Sequence, residues 1–286
     1  VLEIGTESHD RLYRNPFLDP LEPHELKADI ATEGDQPDVH HTTMRAEVID
    51  QFGERLFHQF QTAFACGTRA VIHTCRQIHH QGDVVVIRHN DTVGAFDITD
   101  DAARDAAIDG LPEDWRGIDL LVNNAAMLVA KPALEVVTAE FEAVTRINVT
   151  GTFLITQHVG RHLIESGRPG QIINIASTFT TVGAVNVSPY GISKAAIGGL
   201  TRHLAAEWAP HRVRVNAVAP GTSMTKLRAE IFDNDAARRE AGLSKIPLGR
   251  FTAPEDIAGA VSYLASPAAA YVTGHILAVD GGMTVT

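Results

Sequence analysis

The sequence has few cysteines and no long apolar run. Cys66 and Cys75 are the only two cysteines among 286 residues, and they lie nine positions apart. This spacing fits neither a disulfide framework nor a metal site, so we expect two reduced thiols. No segment reaches the roughly 18 consecutive apolar residues of a membrane span, so no membrane segment is expected.

Basic residues are also scarce. The chain has 24 Lys and Arg against 35 Asp and Glu, and its formal net charge of −11 disfavours a phosphate-backbone partner. We therefore expect no nucleic-acid partner. The first residues do not resemble a signal peptide, which favours a cytoplasmic protein, with a processed precursor as the alternative. A hydrophobic fraction of 44% and a charged fraction of 21% are typical of globular domains.

The N-terminal part differs from the rest of the chain. Residues 1–43 hold ten acidic and three basic side chains and four prolines. This composition predicts an acidic extension that drapes over a surface, with a lid or an oligomer strap as the alternative. Residues 44–61 predict an amphipathic helix leading into a main domain over 62–286. Its apolar residues recur at helical spacing: Val48, Ile49, Phe52, Leu56, Phe57 and Phe60.

From residue 62 onward, strand-like and helix-like segments alternate. The strands are predicted at 62–66, 84–87, 118–123, 171–175, 213–217 and 276–279. The helices are predicted between Gly67 and Gly82 and at 139–166, 188–209 and 254–265. This order predicts an α/β fold, a doubly wound Rossmann-type parallel sheet in three layers (α/β/α), forming a single domain with an N-terminal arm. Such sheets place their sites beyond the carboxyl ends of the strands.

Tyr190 and Lys194 lie four residues apart in the segment Y-G-I-S-K, on one face of the predicted helix. An ammonium group stabilises a neighbouring phenolate, so the pair has the chemistry of a general acid-base group. Taken alone, this spacing is also typical of an ordinary surface pair. The surrounding motifs decide between the two interpretations.

Those motifs occur in a recognisable order. Ser177 follows strand 171–175, thirteen residues before Tyr190; Asn148 lies in the preceding helix; and N-N-A-A at 123–126 closes an earlier strand. Later segments are R-V-N-A-V-A-P-G-T at 214–222, P-E-D-I-A at 254–258, T-G at 273–274 and V-D-G-G at 279–282. In order and approximate spacing the chain resembles the short-chain dehydrogenase/reductase family, from about residue 62 to its end.

The resemblance implies the catalytic roles. Tyr190 would exchange a proton with the substrate oxygen, and Ser177 would hydrogen-bond that oxygen, where a donor lowers the barrier. Lys194 would bind the nicotinamide ribose, and Asn148 would hold a water that links Lys194 to solvent. Hydride transfer belongs to the nicotinamide. The alternative is that these four polar residues are scattered over a core.

The resemblance also implies contacts with a cofactor. Asn123 is either a tie between adjacent strands or a cofactor contact, and Ala126 replaces the last glycine of the family's N-N-A-G element. Asp97 resembles the acidic residue that contacts the adenine ring. The other expected contacts are Asn124, Tyr190, Lys194, Pro220, Gly221 and Thr222.

The phosphate-binding turn departs from the family. Its T-G-x-x-x-G-x-G pattern corresponds to residues 66–73, where Gly67 is retained but Val71 and His73 replace the later glycines. Arg69 could compensate by pairing with phosphate. Arg88 stands where an acid would select NAD, which favours NADP, with NAD possible and a solvated loop arginine as the alternative. Whether a nucleotide binds stays open at this point because the turn is degenerate.

The sequence therefore predicts an NAD(P)(H)-dependent oxidoreductase that interconverts a ketone and a secondary alcohol of a small molecule. The alternatives are non-redox acid-base chemistry (dehydration, cyclisation or isomerisation) and a non-catalytic partner subunit. No metal is expected, because the histidines lack a ligand spacing. Residues 222–250 are either a substrate lid or an ordinary packed helix. By the resemblance, helices 139–166 and 188–209 would pair between subunits in a homodimer or homotetramer.

Overall fold

The computed structural model describes residues 71–76, 83–88, 96–110, 118–224, 232 and 234–286. For 71–76 and 83–88 it describes the backbone. The predicted extension 1–43, the predicted helix 44–61 and the boundaries between them lie outside these residues. So does the predicted strand 62–66.

A single sheet of six strands organises the described residues, in the order β2-β1-β3-β4-β5-β6. Four neighbouring pairs are parallel and the pair β1–β2 is antiparallel. This arrangement confirms the predicted α/β class. The strands are β1 Val71–Arg76, β2 Asp83–Arg88, β3 Leu120–Asn123, β4 Gly170–Ile175, β5 Val213–Pro220 and β6 Ile276–Val279.

Six α-helices surround the sheet in the described part of the chain. They are α1 Asp101–Asp109, α2 Thr138–Thr145, α3 Thr152–Glu165, α4 Ser188–Trp208, α5 Ala236–Leu243 and α6 Pro254–Ala265. The predicted helix 139–166 is interrupted by a π-helical turn, Arg146–Gly151, which separates α2 from α3. Among the described helices, none combines the length and the apolar character needed to cross a membrane.

Side chains alternate between the two faces along each strand, and buried apolar side chains lie on both faces. Helices therefore cover both faces of the sheet. Leu121 and Ile172 face a core built with α1, α3 and α4, whereas Leu120 and Val122 face a second core built with α6. The three predicted layers follow from this alternation.

The beginning of the described sheet corrects the sequence-based prediction. A helix between Gly67 and Gly82 was expected, but residues Val71–Arg76 form β1. The β-branched residues Val71, Ile72 and Thr74 favour a strand over a helix, and pairing with β3 completes it. The predicted strand 84–87 is observed as β2, but it runs antiparallel to β1, which departs from an all-parallel sheet.

The segment after β5 packs as part of the domain where it is described. Phe232 and Phe251 are buried and stack with their ring centroids 4.9 Å apart. Ile246 completes this cluster, and Met224 and Met283 pack against it. The C-terminal residues therefore lie against the segment that the sequence identified as a lid or a packed helix.

Candidate active site

The described polar residues of the site follow the carboxyl ends of the central strands. Asn123 ends β3, Ser177 follows β4 after one intervening residue, and Pro220 ends β5. Parallel register places Asn123 beside Asn174, and Asn174 beside Ala217, so these ends share one edge of the sheet. Ligands of doubly wound sheets bind outside this edge.

Tyr190 and Lys194 lie in the first two turns of α4. Lys194 Nζ is 5.5 Å from the centroid of the Tyr190 ring, and it donates a hydrogen bond of 2.7 Å to the carbonyl oxygen of Ile175. The lysine side chain is buried, and burial lowers its pKa from 10.5 to about 8. At neutral pH the ammonium therefore remains charged beside the phenol, where it favours the phenolate form.

Ser177 lies just after the end of β4 and is buried. Its Oγ accepts a hydrogen bond from the backbone N–H of Phe179 and so caps a 3-10 turn at Thr178–Thr180. Because the oxygen acts as acceptor there, the hydroxyl proton remains available for donation. The rings of Phe179 and Tyr190 pack edge to face, with their centroids 6.2 Å apart and an interplanar angle of 89°, which restricts the position of the phenol.

Asn148 occupies the π-helical turn and is buried. Its Oδ1 accepts from the backbone N–H of Met127 at 2.6 Å, and its Nδ2 donates to the Met127 carbonyl and to Ser193 Oγ. Both amide protons are therefore committed to protein acceptors. The side chain ties the loop after β3 to α4, next to Lys194. The Asn148 amide therefore has no N–H donor left for the water that was expected to link Lys194 to solvent.

Ser193 is a residue that the sequence-based reasoning missed. Its hydroxyl donates to the carbonyl oxygen of Tyr190 at 2.7 Å while accepting from Asn148. A serine within a helix often bonds to a preceding carbonyl, so the first contact was foreseeable. The contact with Asn148 joins residues 45 positions apart and depends on the tertiary fold.

Asn123 belongs to a row of buried hydrogen bonds. Its Nδ2 donates to Thr156 Oγ1 and to Asn174 Oδ1, and Asn174 Nδ2 donates to Thr201 Oγ1. The row connects α3, β3, β4 and α4. These bonds agree with the first of the two interpretations given for Asn123, a tie between adjacent strands. They also fix the position of α4, seven residues beyond Lys194.

Pro220, Gly221 and Thr222 lie at the end of β5. Gly221 passes so close to Asp280 that an added Cβ would come within 2.8 Å of its Cα. Thr252 donates its backbone N–H to the Thr222 carbonyl. Burial alone would raise the pKa of the Asp280 carboxyl, but hydrogen bonds from Thr284 and Gly282 outweigh burial and lower it. The backbone at Gly221 is therefore held in place by its contact with Asp280, directly after β6.

The remaining residues expected to contact the cofactor lie on several separate elements. Asp97 precedes α1, and its Oδ1 accepts two hydrogen bonds of 2.7 Å from Thr99. Asn124 follows directly after β3 at the site edge. Arg88 ends β2 opposite Val71, so its backbone lies level with the start of β3, away from the strand ends that carry the site, which corrects its prediction as a cofactor contact. Gly67 and Arg69 lie outside the described residues.

The strand β1 also corrects the proposed alignment of the glycine turn. Val71 and His73, which stand at the second and third glycine positions, belong to a strand rather than to a turn. Their backbone pairs with Leu120 and Val122. Residues 71–73 therefore do not form a phosphate-binding turn.

The chain is similar in sequence to known dehydrogenases and reductases. A family model described as "Enoyl-(Acyl carrier protein) reductase" matches residues 58–284. A 2-dehydro-3-deoxy-D-gluconate 5-dehydrogenase of Dickeya dadantii is 38% identical over 65% of this chain and 73% of its own length. A 3beta-hydroxysteroid dehydrogenase of Eggerthella lenta is 40% identical over 66% of this chain and 72% of its own.

A solved structure shows a similar fold. The gluconate 5-dehydrogenase of Burkholderia cenocepacia J2315, crystallised with NADP and tartrate, is 35% identical. The match has a TM-score of 0.63 and covers 67% of this chain and 74% of that one. About a quarter of each of these proteins has no counterpart in the match.

Proposed function

The chain belongs to the short-chain dehydrogenase/reductase family, and from this we propose that it is an NADP(H)-dependent oxidoreductase interconverting a ketone and a secondary alcohol of a small molecule. The observation that carries the proposal is the Tyr190–Lys194 pair. The buried Nζ of Lys194 lies 5.5 Å from the centroid of the Tyr190 ring and donates a hydrogen bond to the Ile175 carbonyl. Ser177 Oγ accepts a hydrogen bond from the backbone of Phe179, whose ring packs against the Tyr190 ring.

Three side chains of this site divide the work on the substrate oxygen. In the direction of reduction, the Ser177 hydroxyl donates to the carbonyl oxygen, where negative charge develops. Tyr190 transfers its phenolic proton to that oxygen as the C=O π bond breaks, so an O–H bond forms. Lys194 stabilises the phenolate that remains. The nicotinamide, when bound, supplies the hydride that forms the new C–H bond.

The described residues fit the nicotinamide end of the cofactor. An ammonium has three N–H donors, and the described chain offers Lys194 Nζ one acceptor, the Ile175 carbonyl. Two donors therefore remain for ribose hydroxyls. Asn124 and the segment from Pro220 to Thr222 lie at the same edge and would contact the nicotinamide side. Asp97 would contact the adenine side.

We also propose a homo-oligomer. The run of helix from α2 to α3 carries the half-exposed aromatic side chains Phe141 and Phe153, which are 39% and 40% exposed. Exposed aromatic residues are enriched at interfaces between subunits. A homodimer or homotetramer would cover them.

The test of the proposed function is Tyr190→Phe, assayed with NADPH and a panel of small ketones. Removing the hydroxyl removes the proton donor but leaves the ring between Phe179 and Lys194. We expect kcat to fall by about 10²-fold to 10⁴-fold, the contribution typical of general acid-base catalysis. Phe179→Leu serves as the comparison, since it keeps the phenol and alters only its apolar neighbour. Full turnover by Tyr190→Phe would refute the assignment.

A further inference from the structure

Three residues of α4 form a ridge along which the segment carrying Ser177 is packed. Tyr190, Lys194 and Gly198 follow one another at intervals of four, and residues at this spacing share one face of an α-helix. Each of the three contacts residues 175–180, which run from the end of β4 through the 3-10 turn. The position of this segment on the ridge therefore determines where the Ser177 hydroxyl lies relative to the Tyr190 phenol.

Thr180 contacts two of the three ridge residues through its side chain. Its hydroxyl donates a hydrogen bond of 3.2 Å to the carbonyl oxygen of Lys194. Its methyl group packs on Gly198, where an added Cβ would lie 2.7 Å from Thr180 Cγ2. A glycine is needed at this position of the helix to leave room for the methyl group. Both branches of the threonine side chain are thereby held on α4.

The backbone of Thr180 is bound to Ser177. Its N–H donates to the carbonyl oxygen of Ser177 at 2.9 Å and closes the 3-10 turn. The Ser177 hydroxyl accepts from the N–H of Phe179 in the same turn. Thr180 therefore hydrogen-bonds to the backbone of Ser177 and to that of Lys194, so one residue joins the turn to the helix that carries the phenol.

Two further contacts between the segment and the ridge restrict the turn less directly. The Phe179 ring packs edge to face on the Tyr190 ring, a contact that lacks the directionality of a hydrogen bond. Lys194 Nζ binds the Ile175 carbonyl, two residues before Ser177, and so holds the end of the strand. A hydrogen bond restricts both the distance and the angle between its partners. The Thr180 hydroxyl adds such a bond between the turn itself and α4.

We infer that Thr180 is a positioning residue, which places the Ser177 hydroxyl relative to the Tyr190 phenol by bridging the 3-10 turn to α4. The inference rests on the proposed function, since it presumes that both hydroxyl groups act on one substrate oxygen. Thr180 acts through Ser177 and exchanges no proton with the substrate. The rate depends on this placement, because a misplacement of about 1 Å can cost about 10²-fold.

The test is Thr180→Val in the full chain, assayed for ketone reduction with NADPH. Valine keeps the branched shape beside Gly198 and removes the hydroxyl that binds the Lys194 carbonyl. We expect kcat to fall by about tenfold to 10²-fold. The dissociation constant of NADPH should stay at the wild-type value, because the Nζ of Lys194 keeps its bond to Ile175. Thr180→Ser keeps the hydroxyl and should retain the wild-type kcat.

A double-mutant cycle with Ser177→Ala separates positioning from a general loss of packing. If Thr180 acts through Ser177, Thr180→Val changes kcat little once the Ser177 hydroxyl is absent. An equal fall in kcat in both backgrounds would overturn the inference. Thr181→Val is the matched control, because the Thr181 hydroxyl binds the Thr178 carbonyl within the turn. This control should keep the wild-type kcat.

Gly198→Ala tests the same placement from the side of the helix. Its Cβ would press on the Thr180 methyl group, so kcat should fall. Adding Thr180→Ser to Gly198→Ala should restore kcat, because serine lacks Cγ2. This pair of variants tests the inference even if Thr180→Val does not fold.

The remaining outcomes separate the inference from the proposed function. If the wild type reduces ketones and both Thr180→Val and Gly198→Ala do so at the same rate, the inference is overturned while the redox function stands. If the wild type reduces no ketone with NADPH, both fail.

Discussion

At the scale of single residues, Lys194 combines a charged group with a buried position. It is buried with one described acceptor, and its pKa falls from 10.5 to about 8 because burial disfavours the charge. Such a site costs folding free energy that a hydrocarbon side chain would not. The proposed catalysis, which needs a cation beside the phenol, would account for this cost.

This conflict gives a prediction for Lys194→Met. A folded-state pKa below the unfolded value means that the penalty is fully present below pH 8 and is relieved as the pH rises toward 10.5. A shift of this size corresponds to about 3 kcal/mol, less about 1 kcal/mol for the lost hydrogen bond to Ile175. We expect the variant to be more stable at pH 7 by about 2 kcal/mol and to be inactive.

The measurement is urea unfolding at several pH values between 7 and 10.5. The wild-type protein should gain stability over this window relative to Lys194→Met. Lys245→Met removes an exposed lysine and should leave the pH dependence of the wild type unchanged. Parallel pH profiles for the wild type and Lys194→Met would contradict the prediction.

The residues of the site differ in how far sequence could predict their surroundings. Ser177, Tyr190 and Lys194 follow from the order of motifs, because each comes just after a strand or early in a helix. The partners of Asn148 did not follow, because a π-helical turn changes which residues face the loop after β3. Its contacts span 21 and 45 positions, a separation on which local patterns carry no information.

At the scale of elements, α3 and α4 approach each other closely where Gly160 meets Trp208. A Cβ on Gly160 would lie 2.4 Å from the indole ring, and Trp208 is buried with little room to move. The site depends on this packing, because α4 carries Tyr190 and Lys194. A glycine is needed here for space, while its backbone conformation is ordinary for a helix.

We therefore predict that Gly160→Ala destabilises the protein. Overpacking against the indole should cost about 1–3 kcal/mol in the free energy of unfolding, more than the gain in helix propensity. Gly199→Ala on α4 is the matched control, since nothing lies within 4 Å of its added Cβ. That variant should be neutral or more stable by up to about 1 kcal/mol. Thermal unfolding of both variants distinguishes them, and equal effects would refute the role of the indole.

The strands also show what patterns at this scale can and cannot predict. Strands β3 to β6 were predicted close to their observed positions, because each is a short apolar run bounded by helical periodicity. The segment from Val71 to Arg76 lies within the helix predicted between Gly67 and Gly82, but it forms β1. Its β-branched residues favour a strand, and pairing with β3 stabilises that strand.

At the scale of the whole molecule, the sheet divides into two parts with different consequences for function. Every described side chain proposed for catalysis lies in the part of the chain that follows β3. The antiparallel pair of β1 and β2 extends the sheet beside β3, where the sequence predicted a glycine turn and a helix. Sequence patterns indicated this division through the missing glycines, but the direction of β2 depends on pairing across the sheet.

Assembly is the remaining property at this scale, and Phe153 tests it. Near the start of α3 its ring is 40% exposed, so an aspartate there would keep the monomer fold but place a charge in an apolar contact. We expect the wild type to have at least twice the chain mass of 30.8 kDa in light scattering, and Phe153→Asp to shift toward the monomer. The far-UV circular dichroism of the two should agree, because Phe153 lies outside both cores of the sheet.

The control for the assembly test is Glu142→Gln, which removes a charge from α2 and should leave the mass unchanged. A monomeric wild type would show that these exposed rings serve another purpose.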